Sequence, residues 1–75
     1  MALDACILIK TVPLETASVL KKAKSLKGVR KAFVAYGRYD MVVFVNASGY
    51  PEVRKLTGEI NSMQGVRSTE TLVEA

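Results

Sequence analysis

The sequence predicts an α+β domain in which two strand-helix-strand units share one sheet, and three observations carry that prediction. A pattern repeats: Leu26-Lys27-Gly28-Val29-Arg30 and Met63-Gln64-Gly65-Val66-Arg67 stand 65 − 28 = 37 residues apart, each closing an amphipathic stretch and opening an extended one. Two runs are apolar without interruption, Ala5-Cys6-Ile7-Leu8-Ile9 and Met41-Val42-Val43-Phe44-Val45, as strands covered on both faces are. Between run and repeat, in both halves, apolar residues recur at helical spacing.

In chain order, Ala5 to Thr11 is the first strand. Pro13 suits the first turn of a helix, where an N–H has no intrahelical partner, and Thr16, Val19, Leu20, Ala23 and Leu26 form that helix's inward stripe. Gly28 ends it as a C-terminal cap. Val29 to Tyr36 and Met41 to Asn46 are strands joined by the turn Gly37-Arg38-Tyr39-Asp40. Ser48 or Gly49 precedes Pro51 at the second helix start, and Val53, Leu56, Ile60 and Met63 make its stripe. Gly58 within that helix costs about 1 kcal/mol against Ala unless something packs closely there. Gly65 stops the helix as Gly28 did, and Val66 to Val73 is the last strand, where Arg67-Ser68-Thr69-Glu70-Thr71-Leu72 approaches polar-apolar alternation. Right-handed crossovers close two such units into an antiparallel four-stranded sheet with both helices on one face, the ferredoxin-like βαββαβ arrangement, whose first and third strands are central.

Those central strands are the two apolar runs, so the sheet needs cover on both faces, and two helices supply only one. Cys6 and Leu8, or Ile7 and Ile9, with alternate members of the third strand, are left for something else to bury. A second copy is the simplest cover, and at ~25 cal/mol per Å² it contributes several kcal/mol. A chain of 75 residues, read as one domain over 1–75, benefits from such help because short chains bury a small share of their surface.

Composition narrows the function. Hydrophobic residues make up 49% and charged residues 24%, an ordered globular balance, and no apolar run approaches the ~20 residues that span a bilayer. Met1-Ala2-Leu3-Asp4 lacks the features of a signal peptide, which places the protein in the cytoplasm. Cys6, the only cysteine, reads as a small buried hydrophobe. The absence of histidine removes the commonest general base and metal ligand, and the five glycines form no phosphate-binding motif, so neither metal nor cofactor is implied. Asp4, Glu15, Glu52, Glu59 and Glu74 show no paired or metal-ligand spacing. The net charge of +4 gathers around Lys21, Lys22, Lys24, Lys27, Arg30 and Lys31. Such a cluster is most often a solvated helix face, and nucleic-acid binding would be supported by interleaved aromatic residues, which this segment lacks.

The turn Gly37-Arg38-Tyr39-Asp40 concentrates polar groups in an apolar hairpin. Asp40 can accept an ammonium, Gly37 lets a backbone approach closely, and Arg38 can receive a carboxylate bidentately, a set that suits a zwitterion. Equally, Asp40 can cap the turn through its own backbone while Arg38 is solvated. Tyr36 and Tyr39 can wall a pocket or pack in an interface. Thr69 and Thr71 share a strand face, where their hydroxyls can complete a polar site or simply reflect strand propensity.

Together, Ile7-Leu8-Ile9-Lys10-Thr11, the Gly28-Val29 corner, Tyr36-Gly37-Arg38-Tyr39-Asp40, and Gly65-Val66 followed by Thr69-Glu70-Thr71-Leu72-Val73 resemble the effector-binding RAM domain of the Lrp/AsnC transcriptional regulators over essentially the whole chain. The resemblance implies a dimeric α/β barrel formed through the sheets, further association into octamers or decamers, and a free amino acid bound between adjacent dimers. Carried over by position, Gly37, Tyr39 and Asp40 match the family's turn and Thr69 and Thr71 its strand segment; Arg38 holds the variable place and is a candidate for selectivity. Leu72 falls where several relatives carry His. Relatives also carry an amino-terminal helix-turn-helix that these residues do not encode, so direct DNA binding is not expected. The expected role is an amino-acid sensor that works alone or co-assembles with full-length regulators. The alternative is a small cofactor-independent enzyme of the dimeric α/β-barrel type, a monooxygenase or isomerase.

Overall fold

The computed structural model describes residues 2–74. Strand β1 spans Leu3–Thr11, followed by a single 3-10 turn over Pro13–Glu15, helix α1 at Thr16–Lys24, β2 at Val29–Val34, β3 at Met41–Ala47, α2 at Tyr50–Asn61 and β4 at Val66–Val73. The strands form one sheet in the order β2-β3-β1-β4, and all three neighbouring pairs are antiparallel. The predicted ferredoxin-like topology is thus the observed one, with the two apolar runs at its centre.

Some boundaries differ, for local reasons. Pro13 opens the 3-10 turn rather than α1 itself, because Val12 donates its N–H to Gly65 O at 2.8 Å and accepts that of Glu15 at 2.8 Å before the chain can wind into α1. Strand β2 ends at Val34 rather than Tyr36, since Ala35 donates to Asp40 O at 2.9 Å and closes the loop there.

The duplicated corners share a geometry. Gly28 and Gly65 adopt φ +98° and +97°, and in each the following valine donates its N–H back to the residue two before the glycine, Leu26 O or Met63 O, at 3.2 Å. A Cβ on Gly65 would collide with Glu15 Cβ, so both backbone angle and packing demand glycine. Gly58 has no such reason: nothing lies within 4 Å of where its Cβ would be.

The core lies between helices and sheet. Ile7 and Ile9 of β1 and Met41, Val43 and Val45 of β3 are buried with Val19 and Ala23 of α1 and Val53, Leu56 and Ile60 of α2. Leu20, Leu26 and Met63 complete the helical stripes as half-buried flanks. Register then settles which face is left open. Cys6 stands opposite Phe44 and Leu72, and Leu8 opposite Val42 and Glu70, while Phe33 stands opposite Val42. The apolar residues on the face without helices are therefore Cys6 and Leu8 with Val42, Phe44, Phe33 and Leu72. Phe44 is 42% exposed and Leu72 52%, and the Phe33 and Phe44 rings stack loosely with centroids 6.1 Å apart. Cys6, expected to be buried, is only half-buried in the single chain because it points to this uncovered face. Even so, desolvation raises its thiol pKa above the ordinary value.

Candidate ligand site

The loop from Ala35 to Asp40 is pinned to the sheet by Asp40. Its N–H donates to Ile9 O at 2.9 Å, and its Oδ2 accepts the Thr11 N–H at 2.8 Å. The β1–β4 ladder shifts register between Lys10 and Thr11, and Asp40 supplies an acceptor to the backbone at that irregularity. Asp40 therefore caps the end of β1, a partner different from its own turn backbone. Its second oxygen, Oδ1, takes no hydrogen bond from the described residues and remains available to a donor. Thr11 itself is buried, and its hydroxyl shares a hydrogen bond with that of Thr16 at 2.6 Å, so Asp40, β1 and the start of α1 are joined in one polar chain.

Beyond that anchor the loop is open. Gly37 holds φ +120°, and a Cβ there would meet nothing within 4 Å, so glycine is required by the backbone angle and approach to it is unobstructed. Arg38 and Tyr36 are exposed, Tyr36 at 99%. Tyr39 instead turns back across β1: its hydroxyl donates to Glu70 Oε1, and Lys10 Nζ lies 5.8 Å from the ring centroid. The hydrogen bond to Glu70 raises the Tyr39 pKa above the ordinary tyrosine value, with desolvation and the Glu70 charge adding and the Arg38 charge opposing.

Thr69 and Thr71 lie elsewhere. They stand opposite Ile9 and Ile7, the helix-facing residues of β1, whereas Glu70 stands opposite Leu8 on the uncovered face. Thr71 shares a hydrogen bond with the Thr57 hydroxyl at 3.0 Å and lines a shallow groove of about 420 Å³ between α2 and β4, with Tyr50, Val53, Arg54, Thr57 and Val73. Within one chain, the structure joins Tyr39, Glu70 and Lys10 on one face of the sheet and places the threonines on the other. Glu70, Lys10 and Thr57 were not singled out from sequence. The opposite parity of Glu70 to its threonine neighbours is the signal that separates it from them. Among the described residues no cluster of three or more Cys, Asp or Glu could hold a metal ion, and no helix is long and apolar enough to cross a membrane.

Comparison with known proteins agrees with this architecture. Residues 4–74 match the model of the Lrp/AsnC ligand binding domain. The HTH-type transcriptional regulator LysM of Sulfurisphaera tokodaii is 30% identical over 70 residues, 92% of this chain and 50% of the regulator, so the chain spans half the length of that relative. Among solved structures, TTHA0845 from Thermus thermophilus superposes with a TM-score of 0.93 at 26% identity, covering 97% of this chain and 92% of that one. AsnC of E. coli superposes with a TM-score of 0.86 at 26% identity, covering 96% of this chain and 50% of AsnC. With the family model matched over nearly its whole length, the chain belongs to the Lrp/AsnC ligand-binding domain family.

Proposed function

We propose that this chain is a non-enzymatic effector-sensing module that binds a free amino acid in a site completed only by assembly. The observation that carries the reading is the division of the candidate residues: the loop bearing Asp40 and the Thr69–Thr71 pair do not converge in one chain, because the latter face the helix layer of β4 while Tyr39 is drawn to Glu70 on the uncovered face. Two copies can bring together what one keeps apart. The uncovered apolar face, with Phe44 and Leu72 about half exposed, supplies a surface for sheet-to-sheet dimers, and further association into a ring of octamer or decamer size would set the loop of one dimer against β4 of the next. In that site the free Oδ1 of Asp40 receives the ammonium, threonine hydroxyls and loop N–H groups receive the carboxylate, and Arg38, exposed beside them, reads the side chain.

A ligand that touches both halves binds the assembled form better than its parts and shifts the equilibrium toward it by the same factor. The relative LysM is an HTH-type regulator twice the length of the match, which supports a role in the cytoplasm in which this module co-assembles with full-length regulators and modulates them. A crystal soaked in mixed amino acids tests the site: density bridging Asp40 of one copy and Thr69 or Thr71 of another is expected. Density elsewhere, with the Asp40 region empty in an assembled crystal, would overturn the assignment.

A further inference from the structure

Charge along this chain is segregated more sharply than its net value suggests. Residues 16–39, covering α1, β2 and most of the following loop, hold seven cations and no carboxylate, which leaves 4 − 7 = −3 on the remainder. Lys21, Lys22, Lys24, Lys27 and Arg30 are exposed, and so in the single chain is Lys31, which stands opposite Phe44 with its Nζ 5.5 Å from the Phe33 ring, at the border of the uncovered apolar face. The fold then concentrates three of them. Lys24 at the end of α1 and Arg30 and Lys31 of β2 line, with Val29 and Ala32, an open depression of about 490 Å³. Strand β2 lies at the edge of the sheet, and its ladder with β3 shifts register between Val29 and Lys31, so Arg30 sits at an irregularity on the free edge.

We infer that this edge is a contact surface for the phosphate backbone of nucleic acid, sequence-independent and separate from the amino-acid site. The macrodipole of α1 accounts for lysines in its last turn, and protection of a free edge accounts for charges on β2. Neither accounts for the lack of a single carboxylate over 24 residues or for the convergence of both groups on one depression. A polyanion suits this surface because Lys24 of α1 and Arg30 and Lys31 of β2 converge on one open depression. A membrane suits it less, because the exposed positions of α1, Ala17, Lys21, Lys22 and Lys24, offer no bulky apolar side chain for insertion. Contact with phosphates reads no bases and is not operator recognition.

Fluorescence anisotropy with two unrelated 30-base-pair duplexes, on the intact protein without added amino acid, tests the inference. With three or more phosphates neutralised, log K should fall against log salt with a slope of about −3 or steeper, a loss of at least ~40-fold between 50 and 200 mM, and both duplexes should bind within about twofold of each other. The double variant Lys24→Gln, Arg30→Gln should lower the slope's magnitude by about 2, whereas Lys55→Gln, Arg67→Gln, which removes the same charge elsewhere, should leave it unchanged. Equal weakening by both variants, strong preference for one duplex, or binding to phosphatidylserine vesicles without binding to duplex at 50 mM salt would each overturn it. None of these outcomes bears on amino-acid binding.

Discussion

Replacing Phe44 with alanine should break the pairing of chains while leaving the chain folded. Phe44 is 42% exposed on the uncovered sheet face. A buried Phe removes about 200 Å² from water, so ~80 Å² of Phe44 awaits a partner, worth about 2 kcal/mol at ~25 cal/mol per Å². Two-fold symmetry counts this once for each copy, giving about 4 kcal/mol and a dimer weakened by about a thousandfold. Inside the chain the ~120 Å² of Phe44 already covered, in part by Phe33, is worth about 3 kcal/mol at the same rate, so the fold of the variant is measured alongside its assembly. Sedimentation equilibrium between 0.1 and 100 μM should show a wild-type dimer or larger species and a largely monomeric Phe44→Ala chain with an unchanged circular dichroism spectrum. Leu14→Ala is the control: Leu14 is 96% exposed but belongs to the 3-10 turn, off the sheet face, so the dimer constant should not move. A Phe44→Ala protein that dimerises as tightly as wild type would refute the reasoning.

The remaining predictions concern the site and the duplicated frame. Asp40→Asn keeps an oxygen for the Thr11 N–H and should cost about 1 kcal/mol or less of stability in a denaturant titration, while removing the charge that an ammonium needs and weakening ligand binding at least tenfold; Asp40→Ala should also lose the cap and about 1.5–3 kcal/mol. Glu70→Gln should bring the Tyr39 pKa down toward the ordinary value, seen at 295 nm as the loss of a late-titrating tyrosine among the three. Because the folded pKa of Tyr39 is raised, its contribution to stability is fully present below the unfolded tyrosine pKa and is lost as pH rises through the folded value, so the variant's stability should differ from wild type at neutral pH and converge with it in strong alkali. Gly58→Ala should raise stability by about 0.5–1 kcal/mol, or ~4–8 °C in Tm per kcal/mol, since nothing occupies the new methyl's place, whereas Gly65→Ala should lower it by more than that, with Glu15 in the way.

Much of the frame was legible because it rests on local chemistry. The glycine corners announce a backbone angle, and the helical stripes Val19-Ala23 and Val53-Leu56-Ile60 announce a buried face. The choice between Cys6-Leu8 and Ile7-Ile9 was not legible from those residues, since a strand apolar on both faces carries no alternation; the parity of Asp4 and Lys10 with Cys6 and Leu8 does carry it. At the site, the loop stood out because its polar residues are contiguous. Glu70 and Lys10 did not, because only the sheet order, which puts β4 beside β1, brings them under Tyr39. Asp40 was found, but its partner Thr11 was hidden because only the pairing of β1 with β3, which ends at Ile9 opposite Met41, brings the Thr11 N–H to a residue so far along the sequence.

The most direct test of the central claim is calorimetric titration of the wild-type protein with each of the twenty amino acids, paired with sedimentation velocity on the same samples. At least one amino acid should release or absorb heat and shift the protein toward its larger assembly, with Asp40→Asn silent in both. Twenty heat-silent titrations of a correctly assembled protein, or binding of full strength by a chain held monomeric through Phe44→Ala, would contradict the account.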